Sequence, residues 1–167
     1  GKNVVSFDGT DYMLRNYSNI LNSGLSCYIV AAIDTGGISN AGDSIISYGY
    51  GGDGRWELRA GNTNNFNSKV GKNSTWLSTA NRTVSFDNFH LFTLNFDSNG
   101  STFSSWVNGE ILNSNLSDPF VLADKQKITL MGNRANPTQT LGGKVAEVIF
   151  VRNIENTVRL RMEGYLA

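Results

Sequence analysis

The chain has 167 residues, and its 14 basic side chains balance 14 acidic ones. A formal net charge of zero argues against nucleic-acid binding, which usually needs a basic surface, and against electrostatic docking on an acidic membrane. No apolar run approaches the roughly 20 residues of a membrane-spanning helix. The length suits a single domain covering residues 1–167. Because the chain starts directly before a predicted strand, we expect a domain cut from a longer protein.

Short strand-like segments separated by turns rich in Gly, Asn, Asp and Ser recur along the chain, which is typical of a sandwich or a barrel. The first segment, NVVSFDG, alternates apolar and polar residues and ends in the turn Asp8-Gly9. The run LSCYIVAAID is apolar on both sides and predicts a central strand. Its cysteine, Cys27, has no partner for an internal disulfide and is predicted to be a small buried hydrophobe.

The middle of the chain predicts two hairpins and a loop. DSIISYGY and RWELRAG flank the glycine-rich turn GGDG, and STFSSWVNGEIL turns tightly at Asn108-Gly109. Residues 62–82 are polar and predict a long loop with room for one edge strand. TVSFDNFHLFTLNFD gives the strongest strand signal, while KITLMGN and GKVAEVIFV complete a set of about ten to twelve strands.

The last segment, NTVRLRMEGYLA, predicts one short helix that must pack on the sandwich because it is too short to stand alone. Arg159 and Glu163 are expected to point away from the sandwich, and Asn156 is expected to cap the helix at its N-terminus. The apolar residues that define the packing side at helical spacing are Val158, Leu160, Met162, Tyr165 and Leu166.

Four motifs resemble, in this order, the laminin-G-like, concanavalin-A-like jelly roll of bacterial and phage proteins. VVSFDGTDYML resembles its opening strand, FHLFTLNFD an inner strand with Phe89 in place of the usual Trp, and SSWVNGEIL a hairpin. GGKVAEVIFVRNIENTVRLRMEGYLA resembles the closing strand and helix and is the specific motif of the four. The resemblance implies an all-β fold, a two-sheet antiparallel jelly-roll sandwich with one short C-terminal helix.

Catalysis on this scaffold has weak support, although the scaffold also hosts polysaccharide hydrolases and lyases. Glycoside hydrolysis needs two carboxylates roughly 5 to 9 Å apart, whereas the glutamates here are scattered one per segment. RWELRAG resembles the Arg-x-Glu-Leu-Arg strand of jelly-roll alginate lyases, but the matching Gln-x-His strand is missing. We therefore predict no catalytic residue, an outward charge ladder of Arg55, Glu57 and Arg59, and a hydrogen-bonded, non-catalytic role for His90.

Sugar binding requires an aromatic ring that stacks on a pyranose and polar groups that bond its hydroxyls. The stretch from Tyr48 to Trp76 and the loop GNRANPTQ contain both. Packing in the core or on a sheet is the alternative for each aromatic. The predicted ligand-binding residues are Tyr50, Trp56, Arg59, Asn64, Trp76 and Arg134.

Calcium is the one cofactor that the sequence suggests, since one His and one Cys exclude a zinc site built from those residues. Calcium takes oxygen ligands from Asp side chains and loop carbonyls. Asp8, Asp11, Asp43 and Asp53 lie in glycine-containing loops that could supply them. Turn geometry alone is the alternative reason for these aspartates.

The leading hypothesis is a non-catalytic carbohydrate-binding or adhesion domain of an extracellular or virion-associated protein. Its partners would be a glycan or polysaccharide, bound through rim loops, and other domains of a larger parent, with weak sites strengthened by multivalency. Neither nucleic acid nor membrane insertion is expected, and a homo-oligomer is compatible with this role. A structural assembly domain of a fibre, spike or surface protein and a polysaccharide lyase or hydrolase remain as alternatives.

Overall fold

The computed structural model describes residues 3–16, 24–38, 43–48, 56–60, 65–72, 75–79, 81–97, 102–117, 127–133, 136–152 and 155–166. Within these ranges fourteen strands form two antiparallel sheets, and one helix follows the last strand. The predicted jelly-roll sandwich with a short C-terminal helix is thereby confirmed. The elements are β1 Val5–Asp8, β2 Met13–Asn16, β3 Leu25–Ile38, β4 Ser44–Tyr48, β5 Trp56–Ala60, β6 Asn65–Lys72, β7 Thr75–Ser78, β8 Arg82–Thr83, β9 His90–Asp97, β10 Thr102–Val107, β11 Glu110–Ser117, β12 Lys127–Leu130, β13 Gly132–Asn133, β14 Asn136–Val151 and α1 Asn156–Leu166.

The two sheets interleave along the chain. The first sheet has the order β1-β14-β3-β9-β10-β11, with β13 paired to β14. The second sheet has the order β2-β12-β4-β5-β6-β7, with β8 paired to β6. The segment predicted as a central strand, β3, lies between β14 and β9. No helix in the described part of the chain has the length and apolar character needed to cross a membrane.

The core between the sheets is built on aromatic contacts. The ring of Trp56, on β5 of the second sheet, lies 4.8 Å from the ring of Phe96, on β9 of the first sheet. Tyr48 stacks on the same indole at 5.5 Å, and Phe96 stacks on Phe103 at 4.9 Å. All of these rings are buried, so they hold the two sheets together through apolar area and ring packing.

The prediction of a long loop over residues 62–82 is wrong, because β6 and β7 occupy most of this segment. β6 lies inside the second sheet, paired with β5 on one side and with β7 on the other. Only Phe66 and Val70 of β6 belong to the apolar core, and Ser68 is buried between them in the sequence. Ser68 therefore interrupts the alternation of apolar and polar residues in β6 at an inward position. For this reason the hydrophobic pattern of the sequence does not predict the strand.

The predicted tight turn at Asn108-Gly109 is confirmed. Val107 of β10 pairs with Glu110 of β11, and the two residues between them have φ values of 51° and 78°. Two consecutive residues in the left-handed region are what a two-residue hairpin turn requires, and Asn-Gly is its preferred pair.

The predicted packing side of the helix is correct for Val158, Met162 and Leu166, which are half-buried, and wrong for the charged residues, which the helix turns to the sandwich. Arg159 and Glu163 are each 8% exposed, whereas Leu160 and Tyr165 are 54% and 70% exposed. The predicted capping role of Asn156 also differs, since α1 begins at this residue. Its Oδ1 accepts hydrogen bonds from Nε and Nη2 of Arg159, at 3.0 and 2.8 Å.

The sheet surface under α1 explains this orientation. Tyr28, Thr93 and Trp106 are neighbours in the register of the first sheet. The Thr93 hydroxyl donates to Glu163 Oε1 at 2.9 Å, and Arg159 Nη1 donates to Glu163 Oε2 at 2.6 Å. The Arg159 guanidinium lies 4.6 Å from the centre of the Trp106 ring. The buried charges are thus paired, hydrogen-bonded and covered by a ring, which lets the helix bury them.

We expect Glu163→Ala to lower the free energy of unfolding by about 3 kcal/mol, because the buried Arg159 guanidinium loses its carboxylate. Leu160→Ala, on the exposed side of the same helix, should cost less than about 0.5 kcal/mol. Urea denaturation of both variants measures the difference. Similar losses in the two variants would contradict the described orientation of α1.

Cys27 is fully buried in β3, as predicted, and burial raises the pKa of its thiol well above its ordinary value. Because the thiolate is the reactive form, the native protein should react slowly with Ellman's reagent at mildly alkaline pH. One thiol per chain should react promptly in guanidinium chloride. Rapid reaction of the native protein would show that Cys27 is accessible.

Candidate functional site

The outward side of the second sheet carries a band of mostly polar residues, here called the polar face. The core residues Trp56, Leu58, Phe66 and Val70 point inward from β5 and β6, so their neighbours in sequence point outward. Glu57 and Lys69 are paired across β5 and β6, with Ser47 and Ser78 on either side in the register. The polar face consists of Ser47, Glu57, Arg59, Asn67, Lys69, Trp76 and Ser78.

A buried carboxylate holds the central cation of the polar face. Glu57 has no exposed surface, and its Oε1 lies 3.3 Å from Nε of Arg59. The Ser44 hydroxyl donates to Glu57 Oε2 at 3.4 Å. The Arg59 side chain retains 19% exposure, so its guanidinium is fixed from below while part of it faces outward.

Lys69 adds a second cation beside Arg59. Burial lowers the pKa of Lys69, the Arg59 guanidinium lowers it further, and the Glu57 carboxylate opposes both effects. Within the polar face two cations therefore share one carboxylate. Such an arrangement favours an incoming anionic group, and Arg presents the planar fork that matches a carboxylate.

The structure places two of the predicted ligand-binding residues on one face of the second sheet and a third in the core. Arg59 and Trp76 both belong to the polar face, where Trp76 is 37% exposed and pairs with Gly71. Trp56 lies in the core with no exposed surface, between Tyr48 and Phe96, and this placement removes it from the candidate site. The predicted residues Tyr50, Asn64 and Arg134 lie outside the described residues.

The predicted calcium ligands do not meet within the described residues, where no three His, Cys, Asp or Glu side chains are grouped as a metal site. Asp43 is fully buried, whereas Asp8 and Asp11 are exposed. The Thr10 hydroxyl donates to Asp8 Oδ1 at 2.7 Å and lowers the pKa of Asp8, and the backbone N–H of Thr10, which donates to the same oxygen at 2.8 Å, lowers it further. The fourth ligand, Asp53, lies outside the described residues, so calcium binding stays a prediction.

A concave surface, the helix cleft, lies at the C-terminal end of α1 on the outer side of the first sheet. It encloses about 550 Å³. Val30 and Leu91, which pair in the register of β3 and β9, line it together with residues of the hairpin turn and of α1. The lining residues are Val30, Phe89, His90, Leu91, Asn108, Gly109, Glu163, Gly164 and Leu166.

The hydrogen bonds of His90 are defined by the turn residue Asn108. Asn108 Oδ1 accepts from the backbone N–H of Leu91 at 2.9 Å, which orients Nδ2 toward His90 Nδ1 at 3.0 Å. His90 Nε2 lies 3.0 Å from the carbonyl oxygen of Ser85, to which it donates in this tautomer. Both ring nitrogens therefore have protein partners, which agrees with a positioned, hydrogen-bonded histidine.

Comparison with known proteins gives the architecture. No family model matches the chain, and no curated protein matches it. A solved structure described as the Ruminococcus gnavus IT-sialidase CBM40 bound to alpha2,3 sialyllactose has a TM-score of 0.72 at 14% identity, covering 95% of this chain and 94% of that one. The same module bound to alpha2,6 sialyllactose has a TM-score of 0.69 at 15% identity, with coverages of 97% and 96%.

A mutant of the NanB sialidase from Streptococcus pneumoniae is similar over a shorter share of its own length. Its TM-score is 0.71 at 11% identity, and the match covers 95% of this chain but 27% of that one. At these identities the similarity shows the fold alone. The chain is a jelly-roll β-sandwich domain with the architecture that these modules and enzymes contain.

Proposed function

We propose that this chain is a non-catalytic glycan-binding domain whose polar face binds a sugar that carries a carboxylate. The observation that carries this proposal is the Arg59 guanidinium, fixed by the buried Glu57 and accompanied by Lys69, on a face that also exposes the Trp76 indole. One of the structurally similar modules is described as bound to two forms of sialyllactose, whose terminal sugar is a carboxylic acid.

Each part of the polar face has a distinct role in this proposal. Arg59 donates to both oxygens of the ligand carboxylate, and Lys69 adds a second positive charge beside it. Ser78 is exposed, lies opposite Lys69 in the register and bonds a ring hydroxyl. The exposed ring of Trp76 offers an apolar surface for the C–H side of a pyranose.

The proposed mode of action is recognition without turnover. Glu57, the carboxylate of the polar face, is ion-paired with Arg59, accepts a hydrogen bond from Ser44 and has no exposed surface. Glycoside hydrolysis asks for two acids on either side of the bond that breaks, and the polar face contains one. A partly buried polar surface of this kind gives weak single-site affinity, so repeated copies within an extracellular or virion-associated parent would supply avidity.

Protein–protein assembly is a second candidate, favoured by a different surface. β1 and β2 are the outermost strands of their sheets. Large apolar side chains near them are between 41% and 50% exposed. Exposed apolar edge strands are typical pairing surfaces. The residues concerned are Val4, Val5, Tyr12, Met13 and Leu14.

Titration of the isotope-labelled domain with α2,3-sialyllactose tests the first function, with lactose as the uncharged control ligand. We expect sialyllactose, but not lactose, to shift the NMR signals of the Arg59 side-chain N–H and the Trp76 indole N–H. Arg59→Gln should weaken sialyllactose binding at least about tenfold, a change of about 1.4 kcal/mol, because the carboxylate loses its fork-shaped donor.

The matched control is Arg82→Gln, which removes one exposed arginine that pairs with Glu110 and does not belong to the polar face. This variant should bind sialyllactose like the unchanged domain. Equal affinity of Arg59→Gln and Arg82→Gln would refute the role of Arg59. The proposed function would be refuted if neither sialyllactose nor an oligouronate shifts the NMR signals of the polar face.

A further inference from the structure

We infer that the helix cleft is a second glycan-binding site, selective for uncharged sugars and independent of the polar face. It lies on the outer side of the first sheet, whereas the polar face lies on the outward side of the second. The inference rests on the proposed function, because it extends a glycan-binding domain from one site to two.

The size and the walls of the helix cleft suit a short sugar. Its volume of about 550 Å³ lies within the range of roughly 300–1,000 Å³ that small-molecule sites occupy. Phe89 lines it with 46% of its surface exposed, which leaves a ring available to the C–H side of a pyranose. Val30, Leu91 and Leu166 add aliphatic surface for ring carbons or an N-acetyl methyl group.

The polar groups of the cleft are arranged to bind hydroxyls. Each oxygen of Glu163 accepts one hydrogen bond, from Thr93 or from Arg159, and a carboxylate oxygen can accept a second. Asn108 Nδ2 donates one N–H to His90, while an amide nitrogen carries two. Gly109 forms the wall of the cleft beside the Glu163 carboxylate, because a Cβ built on this residue would lie 3.8 Å from Glu163 Oε2. As glycine has no side chain, this part of the wall leaves the carboxylate uncovered.

The charges of the cleft distinguish it from the polar face. No Lys or Arg is among the nine lining residues, and Glu163 is the one carboxylate. Its charge is balanced by the Arg159 guanidinium, which bonds it from within the helix interface. A ligand carboxylate or sulfate would find no cation and would meet Glu163, so the lining favours uncharged sugars.

The buried charged residues of α1 place a carboxylate in the helix cleft. An apolar helix side would hold α1 on the sheet equally well, but it would not bring a carboxylate to the start of β9. Because Thr93 and Arg159 fix both oxygens of Glu163, the acceptors are already in place before a ligand arrives. Pre-positioned groups lower the entropic cost of binding.

The test uses residue-resolved NMR of the complete 167-residue chain with lactose, maltose and N,N′-diacetylchitobiose as probes. We expect at least one of these disaccharides to shift the methyl signals of Val30 and Leu91 and the amide signal of Gly109. Gly164→Leu should abolish these shifts by occupying the wall of the cleft. A Cβ at Gly164 meets nothing within 4 Å, and Leu is a better helix former than Gly, so this variant should fold.

The matched control is Thr157→Leu, which adds the same side chain at an exposed position of α1 outside the lining. It should leave the disaccharide shifts unchanged, while Phe89→Ala should weaken binding at least about tenfold through loss of the stacking ring. The inference is overturned if none of the three disaccharides shifts the cleft signals, or if Gly164→Leu retains those shifts.

These experiments test the helix cleft and the polar face independently. Arg59→Gln should leave the disaccharide shifts at the helix cleft unchanged. Sialyllactose shifts at Arg59 without disaccharide shifts at the cleft would overturn the second site and leave the proposed function standing. The reverse pattern would place glycan binding in the helix cleft and overturn the proposed role of the polar face.

Discussion

The contact between Trp56 and Phe96 is the constraint on which the rest of the second sheet depends. It joins the two sheets through rings on β5 and β9. Once Trp56 points inward, alternation along the strand fixes Leu58 inward and Glu57 and Arg59 outward. A shift of one residue would exchange the two sides of β5 and would bury a charged pair in the core. The core packing therefore determines which residues a ligand can meet.

A different balance operates where α1 meets the first sheet. The buried pair of Arg159 and Glu163 contributes little net stability compared with an apolar interface, because desolvation offsets much of the attraction. It gives orientation instead, since Glu163 bonds Thr93 and Arg159 lies over Trp106, and both partners belong to the sheet. The helix is consequently held at a defined rotation, with Leu160 and Tyr165 facing outward.

The sequence predicted those features that depend on local or strongly periodic patterns. The central position of β3 and the turn at Asn108-Gly109 belong to this group, and so does the fold class, which rested on motifs in a fixed order. The outward direction of Arg59 followed from alternation in RWELRAG. These features need no knowledge of which strands are neighbours.

Features that arise from pairing between distant segments were missed. Arg159 and Glu163 were predicted to point away from the sheet because a helical pattern of apolar residues assumes an apolar partner. The row of Tyr28, Thr93 and Trp106 that receives them forms only when β3, β9 and β10 align. Lys69 was not predicted as a site residue because Ser68, at an inward position, interrupts the alternation that would have predicted β6. The helix cleft combines residues from β3, β9, the hairpin turn and α1, a set that no local pattern brings together.

The burial of Cys27 has a practical consequence for experiments on this domain. Its thiol is the one cysteine in the sequence, and it is enclosed by the core. A cysteine introduced on the outer side of α1, as in Thr157→Cys, would therefore be the sole attachment point for a maleimide dye under native conditions. A fluorophore there would lie in the first turn of α1, at the opposite end of the helix from the cleft, and the same thiol could tether the domain to a surface in one orientation.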